Sequence, residues 1–462
     1  MECGSEVGLR DLWPLLPGEV RSALLRCGAE ADRWVLDASP SHWEGLRPLV
    51  FSAADYHRFG ALAAGVLRCA LLACGRRAGT AGELCAALHD HPALPLMDPS
   101  QPLSAPALLR MARPDALLVG GTPWFVELNI GPNIYGVPGL EERGAAFVRG
   151  RTDGILAEPP STLRARAAAL AGAVAAPDGR RRRVLVPTWR AVSGLAAKLD
   201  GAPALRRYLR PAAEAARAAG LDVSVADLSE VHGGAGGLWV GEDRVDVVFN
   251  QFAGRVLADG GALGVLRAAV LAGAVRLFVP EASCLLSAKQ VLAWMHEDVD
   301  LYGPADRALI LRHVPWTAWL GPRQSAERRR RVLELAVRER AGLVVKPSCG
   351  HGGAGFVAGD GVTDRDWLDL LTRRSAEEAV VLQRRLVPDG TAMRFRSRDG
   401  ARAAARVPFV LSPFLVDGRV AGAYVRHPGP GAHSAVEPVN TAAGAVSNTV
   451  LLLPDAEGRP PR

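Results

Sequence analysis

Lysine is almost absent from this chain. Of its 55 basic residues only three are lysine, Lys198, Lys289 and Lys346, and the rest are arginine. Ala, Arg and Gly dominate, as expected of a GC-rich genome. Such drift replaces lysine with arginine wherever a generic positive charge will do, so a surviving lysine marks a place where the compact ammonium is needed. Lys198 follows a helical stretch and is expected at the surface. Long apolar runs are missing as well. The nearest approach to the roughly 18–20 uncharged residues of a membrane span is Phe59 to Cys74, and Arg68 interrupts it. No basic segment leads into an apolar stretch near Met1, so neither a secretory signal nor a membrane partner is expected. The seven cysteines are scattered, odd in number and without a Cys-x-x-Cys pair. That excludes a disulfide framework and predicts a cytoplasmic protein with reduced thiols. The densest basic run, Arg180 to Arg183, has no aromatic residue nearby, so it reads as a solvated loop and no nucleic-acid partner is expected. His57, His89 and His91 lack carboxylate or cysteine company and read as surface or capping residues.

What is present is enough for two or three packed subdomains, with 462 residues of which 49% are hydrophobic. Residues 6 to about 90 read as helices. Leu12, Leu15, Leu16, Val20, Leu24 and Leu25 suggest an apolar stripe, and Ser52 or Asp55 starts a long buried helix through Cys74. From 110 the texture changes to strands. Ala116–Val119 and Trp124–Leu128 flank Gly120-Gly121, a hairpin with a glycine turn. Short apolar runs at 184–186, 223–225, 245–249 and 275–279 alternate with helical patterns at Pro211–Ala219, where the proline suits a first turn, and Leu263–Leu271. That alternation predicts α/β architecture. Residues 283–340 are again helical, including the charged segment Ser325–Arg340. Strands return at 343–345, 379–383, 404–411, 419–425 and 446–453. The expected division is 1–105 as an N-terminal helical region, 106–180 as a hairpin-bearing part, 181–282 as an α/β subdomain, 283–453 as a second strand-rich part, and 454–462 as a tail.

Four segments carry the candidate chemistry. In Leu343–Val357 an apolar strand delivers Lys346 and Pro347 to a loop holding Gly350, Gly352, Gly353 and Gly355. Glycines let a backbone approach an anion and turn its amides toward it, and the lysine adds a point charge. An incidental lysine beside a Gly-rich hairpin is the bland alternative, and lysine scarcity argues against it. The pattern is neither a Walker loop, since the lysine precedes the glycines, nor a dinucleotide fingerprint, since the loop exits into a strand. In Arg113–Asn129 the hairpin sets Asp115 and Glu127 at corresponding strand ends. Glu127 and Asn129 are two apart and share a face. Two carboxylates and an amide oxygen suit Mg²⁺ with bound phosphates, and Arg113 can face the same cleft. Val381–Gly390 ends a strand at Gln383, offering backbone to an adenine edge. Phe414–His427 turns at Asp417-Gly418 and sets Tyr424 and Arg426 on one face. Taken singly, the last three also read as solvated edge residues or a structural hairpin.

Together and in this order, these segments resemble the circularly permuted ATP-grasp enzymes, notably the synthetase domain of glutathionylspermidine synthetase and its relatives. In ordinary ATP-grasp enzymes the lysine strand and Gly-rich loop come before the metal-binding carboxylates, whereas here Glu127 and Asn129 precede Lys346. The resemblance covers about 105–453 and implies an α/β (α+β) fold of that kind. It implies that Asp115, Glu127 and Asn129 bind Mg²⁺ and that Arg113, with Arg426 as the second such arginine, faces the reacting acyl phosphate. Lys289, in Leu285–Met295, takes the place of the helix-start lysine on the ATP phosphates, although Ala288 replaces the usual Asn. Lys346, Gly350, His351, Gly352, Gly353 and Gly355 form the phosphate loop, and Gln383 stands by the adenine hinge. The segment from Val439 is similar to the closing Asn and Gly-Ala segment. Segments around 130–140 and 187–255 do not match, so the relatives' substrates are not carried over. No Cys-His arrangement of the amidase type is present.

The implied activity is ADP-forming ligation of a small-molecule carboxylic acid to an amine, such as an amino acid or peptide. A kinase-like enzyme that stops after phosphorylation, acyl transfer to a carrier thiol, and an ATP-binding protein without turnover share the same site. The net charge of +7 would suit an acidic carrier protein, and a homodimer is left open. The 131–136 loop lies beside the metal segment and is a substrate-lining candidate by position.

Overall fold

The structure is a computed structural model that describes residues 8–30, 41–89, 91–149, 154–175, 182–189, 202–234, 236–254, 260–350, 352–431, 439–440 and 444–455, with Glu30, 202–204 and Gly260 as backbone only. Lys198, Arg180, Arg181 and His351 lie outside the described residues, as do 441–443 of the closing segment and 456–462 of the tail. The fold is mixed α/β with several sheets.

The hairpin forms where the glycines place it. Asp115–Val119 pairs antiparallel with Thr122–Glu127. Gly120 and Gly121 turn with φ of 59° and 78°, a conformation that suits the twist of the flanking strands and that side chains resist. This hairpin joins the strands Val410–Val416, Arg419–His427 and Val446–Asn448 in a six-stranded antiparallel sheet, with Met111–Ala112 pairing at one end. A second antiparallel sheet orders Thr317–Leu320, Val380–Arg384, Leu343–Pro347 and Val357–Ala358. Its core packs Val345, Val380 and Leu382 with Ala336 and Trp367 of the helices Ala326–Arg338 and Asp364–Glu377. A parallel sheet, ordered 276–277, 247–248, 183–188, 222–227, forms the α/β part.

The helix Ala53–Gly75 runs through the largest core. By length and composition it could cross a membrane, yet Tyr56, Phe59, Ala63, Val66, Cys69 and Ala70 are buried inside the protein. Phe59 stacks on Phe125 of the hairpin with centroids 5.7 Å apart, so this helix backs the sheet that carries Asp115 and Glu127. Its N-cap is Ser52, whose hydroxyl accepts from the Asp55 amide at 3.0 Å.

Several expectations need correction. The N-terminal region is not purely helical: Trp43–Gly45 pairs with Gly390–Ser397, a strand the sequence reading missed, and Leu49–Ser52 pairs in parallel with Val450–Leu453. Leu15 is 77% exposed and leaves the proposed stripe, while Leu16, Val20 and Leu24 are buried. Pro211 lies inside the helix Ala202–Ala218 rather than at its start. The loss of one hydrogen bond, a penalty of about 3 kcal/mol, is outweighed by the buried stripe Leu205, Tyr208, Leu209, Ala212, Ala213 and Ala216. The run 404–411 is two strands, Arg402–Pro408 and Val410–Val416, in different sheets. Pro408 has no N–H to extend the ladder. The run 446–453 breaks at Asn448, whose side chain takes the Thr449 amide at 2.8 Å and donates to Arg47 O at 2.9 Å.

Removing the helix cap tests how strongly the central helix is anchored. Ser52→Ala lowers unfolding free energy by about 1 kcal/mol, read from urea denaturation, and no change would mean that packing alone sets the helix start.

Candidate active site

The hairpin sheet and the Lys346 sheet face each other across a cleft. Asp115, Leu117, Val126, Glu127, Val410 and Arg426 line one side. Val344, Lys346, Gln383 and Leu386 line the other, Gly350, Gly353 and Phe356 come from the loop, and Lys289 stands between. A register shift follows Asp115, so that Asp115 pairs with Glu127 while Ala116 pairs with Phe125. Val126 is the extra residue of this bulge. Bulges re-aim side chains, and here the adjacent residues Val126 and Glu127 both line the cleft.

Hydrogen bonds fasten the walls together. Asp389, just past the Gln383 strand, accepts from the Gly120 amide at 3.0 Å and the Gly121 amide at 2.8 Å, and its own amide donates to Leu118 O at 2.7 Å. Ser287 Oγ accepts from the Ile130 amide at 2.7 Å and donates to Ile130 O at 2.9 Å. Two residues on, the Lys289 amide donates to Ser348 O at 2.9 Å. The start of the helix Gln290–Glu297 is thereby tied both to the exit of the hairpin and to the Gly-rich loop.

The charged groups interlock. Lys289 Nζ lies 3.1 Å from Glu127 Oε1 and donates to Gly350 O at 2.9 Å. Lys346 Nζ donates to Gln383 Oε1 at 2.8 Å, and Gln383 Nε2 donates to Thr317 Oγ1 at 3.1 Å. Asp115 accepts from Ser412 Oγ at 2.8 Å and from Arg426 Nη2 at 2.5 Å. Arg113 Nε sits 3.8 Å from Asp115 Oδ1, and Arg113 Nη1 donates to Tyr135 O at 3.2 Å.

Burial alone would raise the Asp115 carboxyl, but Arg426 and Arg113, with the hydrogen bonds from Arg426 and Ser412, hold it below the ordinary carboxylate range. Burial pushes Lys346 down to about 8, with Glu127 opposing and Lys289 reinforcing the shift. Burial also lowers Arg113, only partly offset by Asp115. Burial alone would lower Arg426, but Asp115, Tyr424 and Glu127 together hold it above its usual value. Among the described residues, the Nε atoms of both arginines are buried with no hydrogen-bond partner. Four cations thus face two carboxylates, and unpaired donors remain. Such a site has room for an anion of high charge.

Of the residues singled out in the sequence, Asp115, Glu127, Lys289, Lys346, Gly350, Gly353, Gln383 and Arg426 line this one cleft. Arg113 stands behind Asp115. Asn129 is at the edge of the site, where its amide nitrogen donates to Arg113 O at 3.1 Å. Gly352 and Gly355 shape the loop with φ of 78° and 73° but stand outside the lining. A Cβ on Gly355 would come within 2.7 Å of the Pro347 ring. Sequence reading missed Ser412, Thr317, Ser348, Ser287 and Asp389. Small polar residues on strands and in turns carry no spacing signal, and only the fold pairs them with the charges. In the 131–136 loop, the Gly136 amide donates to Tyr208 OH at 2.7 Å, and a Cβ there would sit 3.5 Å from the Tyr424 ring.

The oxygen-only set Asp115, Glu127 and Asn129 fits a hard cation such as Mg²⁺. Among the described residues no group of three His, Cys, Asp or Glu could hold a metal, so the third protein ligand would be the amide oxygen of Asn129, the end its bond to Arg113 O leaves unused.

No protein-family model matches the chain, and no curated protein matches its sequence. Among solved structures, a candidate gamma-glutamylcysteine synthetase from Methylobacillus flagellatus KT is similar over 74% of this chain and 80% of its own, at 17% identity and a TM-score of 0.40. A likeness of that degree identifies no family.

Neutralising Asp115 tests the electrostatic account of the site. Asp115→Asn leaves Arg426 and Arg113 without their carboxylate and lowers stability by about 3–5 kcal/mol, measured by urea denaturation. A neutral effect would show that the two arginines do not depend on it.

Proposed function

We propose that the protein is an ATP- and Mg²⁺-dependent carboxylate–amine ligase with a circularly permuted ATP-grasp arrangement. The observation that carries the reading is the convergence, in one cleft, of two of the chain's three lysines, a glycine loop, two carboxylates and Arg426. The carboxylate hairpin precedes the Lys346 strand by more than two hundred residues, the order expected of the permuted arrangement. Leu117, Val126, Val344, Leu386 and Val410 give the cleft an apolar part suited to a purine ring. The backbone after Gln383 supplies the polar edge.

In this reading Lys346 and Lys289 neutralise the triphosphate, with amides of the glycine loop. Asp115, Glu127 and Asn129 would hold Mg²⁺, which when bound offsets charge on the phosphoryl oxygens. A substrate carboxylate oxygen attacks the γ-phosphorus, the bond to the β,γ-bridging oxygen breaks, and ADP departs. Arg426, which lines the cleft, and Arg113 behind it, whose Nε atoms make no hydrogen bond among the described residues, stabilise charge on the transferred group and then on the tetrahedral intermediate. An amine nitrogen bonds to the acyl carbon, loses a proton, and phosphate leaves. No side-chain nucleophile takes part, so Cys349 has no covalent role.

Lys346→Ala should lower ADP formation by about 10²–10³-fold with the fold intact by circular dichroism; unchanged turnover would sink the assignment. Lys346 also sets a pH dependence. Its ammonium begins to lose its proton near pH 8 in the free protein, while bound phosphates favour the charged form. ATP affinity therefore falls as pH rises above 8, by up to about tenfold per unit, and Lys346→Arg flattens the profile. Calorimetric titration at pH 7, 8 and 9 reads this, and a flat wild-type profile would contradict it.

A further inference from the structure

Behind the cleft, arginines and aromatic rings alternate. The Arg426 guanidinium lies 5.5 Å from the Tyr424 ring centroid, and Arg113 lies 5.1 Å from the same ring. Arg113 is also 6.0 Å from the Phe414 centroid, and Arg166 is 5.8 Å from it. The series runs from Arg426, which lines the cleft, to Arg166 on the helix Thr162–Val174. Arg426 and Arg113 share the Asp115 carboxylate. Arg166 does not.

Arg166, on the helix Thr162–Val174, is only 2% exposed. Among the described residues no carboxylate stands within ion-pair distance of it. The Tyr208 phenol and, after it, Glu141 act on it from farther off, and Glu141 is engaged by Ser161 Oγ at 2.7 Å and the Leu163 amide at 2.9 Å. One long bond joins Arg166 Nη2 to Ile134 O at 3.3 Å, and Nε has no partner. The neighbouring carbonyl, Tyr135 O, takes Arg113 Nη1. Two guanidiniums whose Nε atoms make no hydrogen bond among the described residues therefore hang from consecutive carbonyls of the 131–136 loop. Burial lowers Arg166 to about 10, and Arg113 adds to the shift. Among the described residues, Trp189 Nε1 and Gln251 Nε2 are also buried without partners. They follow the carboxyl ends of the strands Arg183–Thr188 and Val247–Val248, where parallel sheets receive ligands. Trp189 belongs to the same buried cluster as Phe414 and Tyr424.

A buried guanidinium with a single carbonyl bond is costly unless an anion joins it. We propose that Arg166 anchors a second anionic group on the acid substrate, so that the acid activated in this cleft is a small dicarboxylate rather than a simple monocarboxylic acid. Arg113 faces the carboxylate that reacts, and Arg166, on the far side of Phe414 in the series, holds the one that does not. This rests on the ligase reading and narrows its substrate class.

The test is calorimetric titration of the full chain with the dicarboxylates malonate through adipate and with butyrate. At least one dicarboxylate should bind ten or more times tighter than butyrate. Arg166→Gln should erase that preference and leave ATP affinity unchanged, whereas Arg166→Lys should keep part of it. A purely structural role for Arg166 would not move the ratio of dicarboxylate to butyrate. Equal binding of both, absence of dicarboxylate binding, or an unaltered preference in Arg166→Gln overturns the inference. Should Arg166→Gln fail to fold, Arg166→Lys decides, with a preference identical to wild type counting against it. Wild-type protein that fails to bind ATP in the same titrations overturns the ligase reading instead.

Discussion

Charge compensation across the cleft fixes where everything else can sit. Asp115 holds Arg426 and, more loosely, Arg113, while Glu127 holds Lys289. Neither carboxylate could do so alone. The bulge in the hairpin sets them opposite each other on adjacent strands, and the helix Ala53–Gly75 backs that hairpin through the Phe59–Phe125 stack. Lys346 comes from the other sheet and, among the described residues, has no carboxylate within ion-pair distance; its ammonium donates to the Gln383 amide oxygen. The result is a cleft with positive charge in surplus, held rigid by the Asp389 and Ser287 contacts between walls. A polyanion brought there meets groups already in place, and preorganisation of that kind is what phosphoryl transfer needs from a protein.

The site was legible in the sequence to the extent that its chemistry depends on rare residues. Lysine scarcity singled out Lys289 and Lys346, and both line the cleft. Glycine pairs announced the turns, and the alternation of apolar runs announced the sheets. Position within the site was harder to read. Asn129 and Gly355 fall on the right segments, yet the structure places them at the edge of the cleft or against Pro347. Arg166 was invisible because arginine is everywhere in this chain, and nothing in its local sequence separates a buried guanidinium from a surface one.

The fold departs from expectation where tertiary contacts override local preference. Pro211 sits within a helix because its buried stripe outweighs one lost hydrogen bond. The strands that read as continuous at 404–411 and 446–453 divide where Pro408 cannot donate and where Asn448 turns its side chain onto the backbone. Each division sends the chain into another sheet, and through one of them the N-terminal strand Leu49–Ser52 meets Val450–Leu453. The N-terminal region is therefore joined to the end of the chain, and its long helix is part of the architecture that supports the site.

The proposed reaction activates a carboxylate as an acyl phosphate in this cleft. Hydroxylamine trapping tests it most directly. Protein, ATP and Mg²⁺ are incubated with hydroxylamine and pools of carboxylic acids that include amino acids, nucleotides are separated, and hydroxamates are identified by mass. The account predicts ADP together with a specific hydroxamate. AMP in place of ADP would mean adenylation and contradict it, as would ADP formed with a phosphorylated product and no hydroxamate.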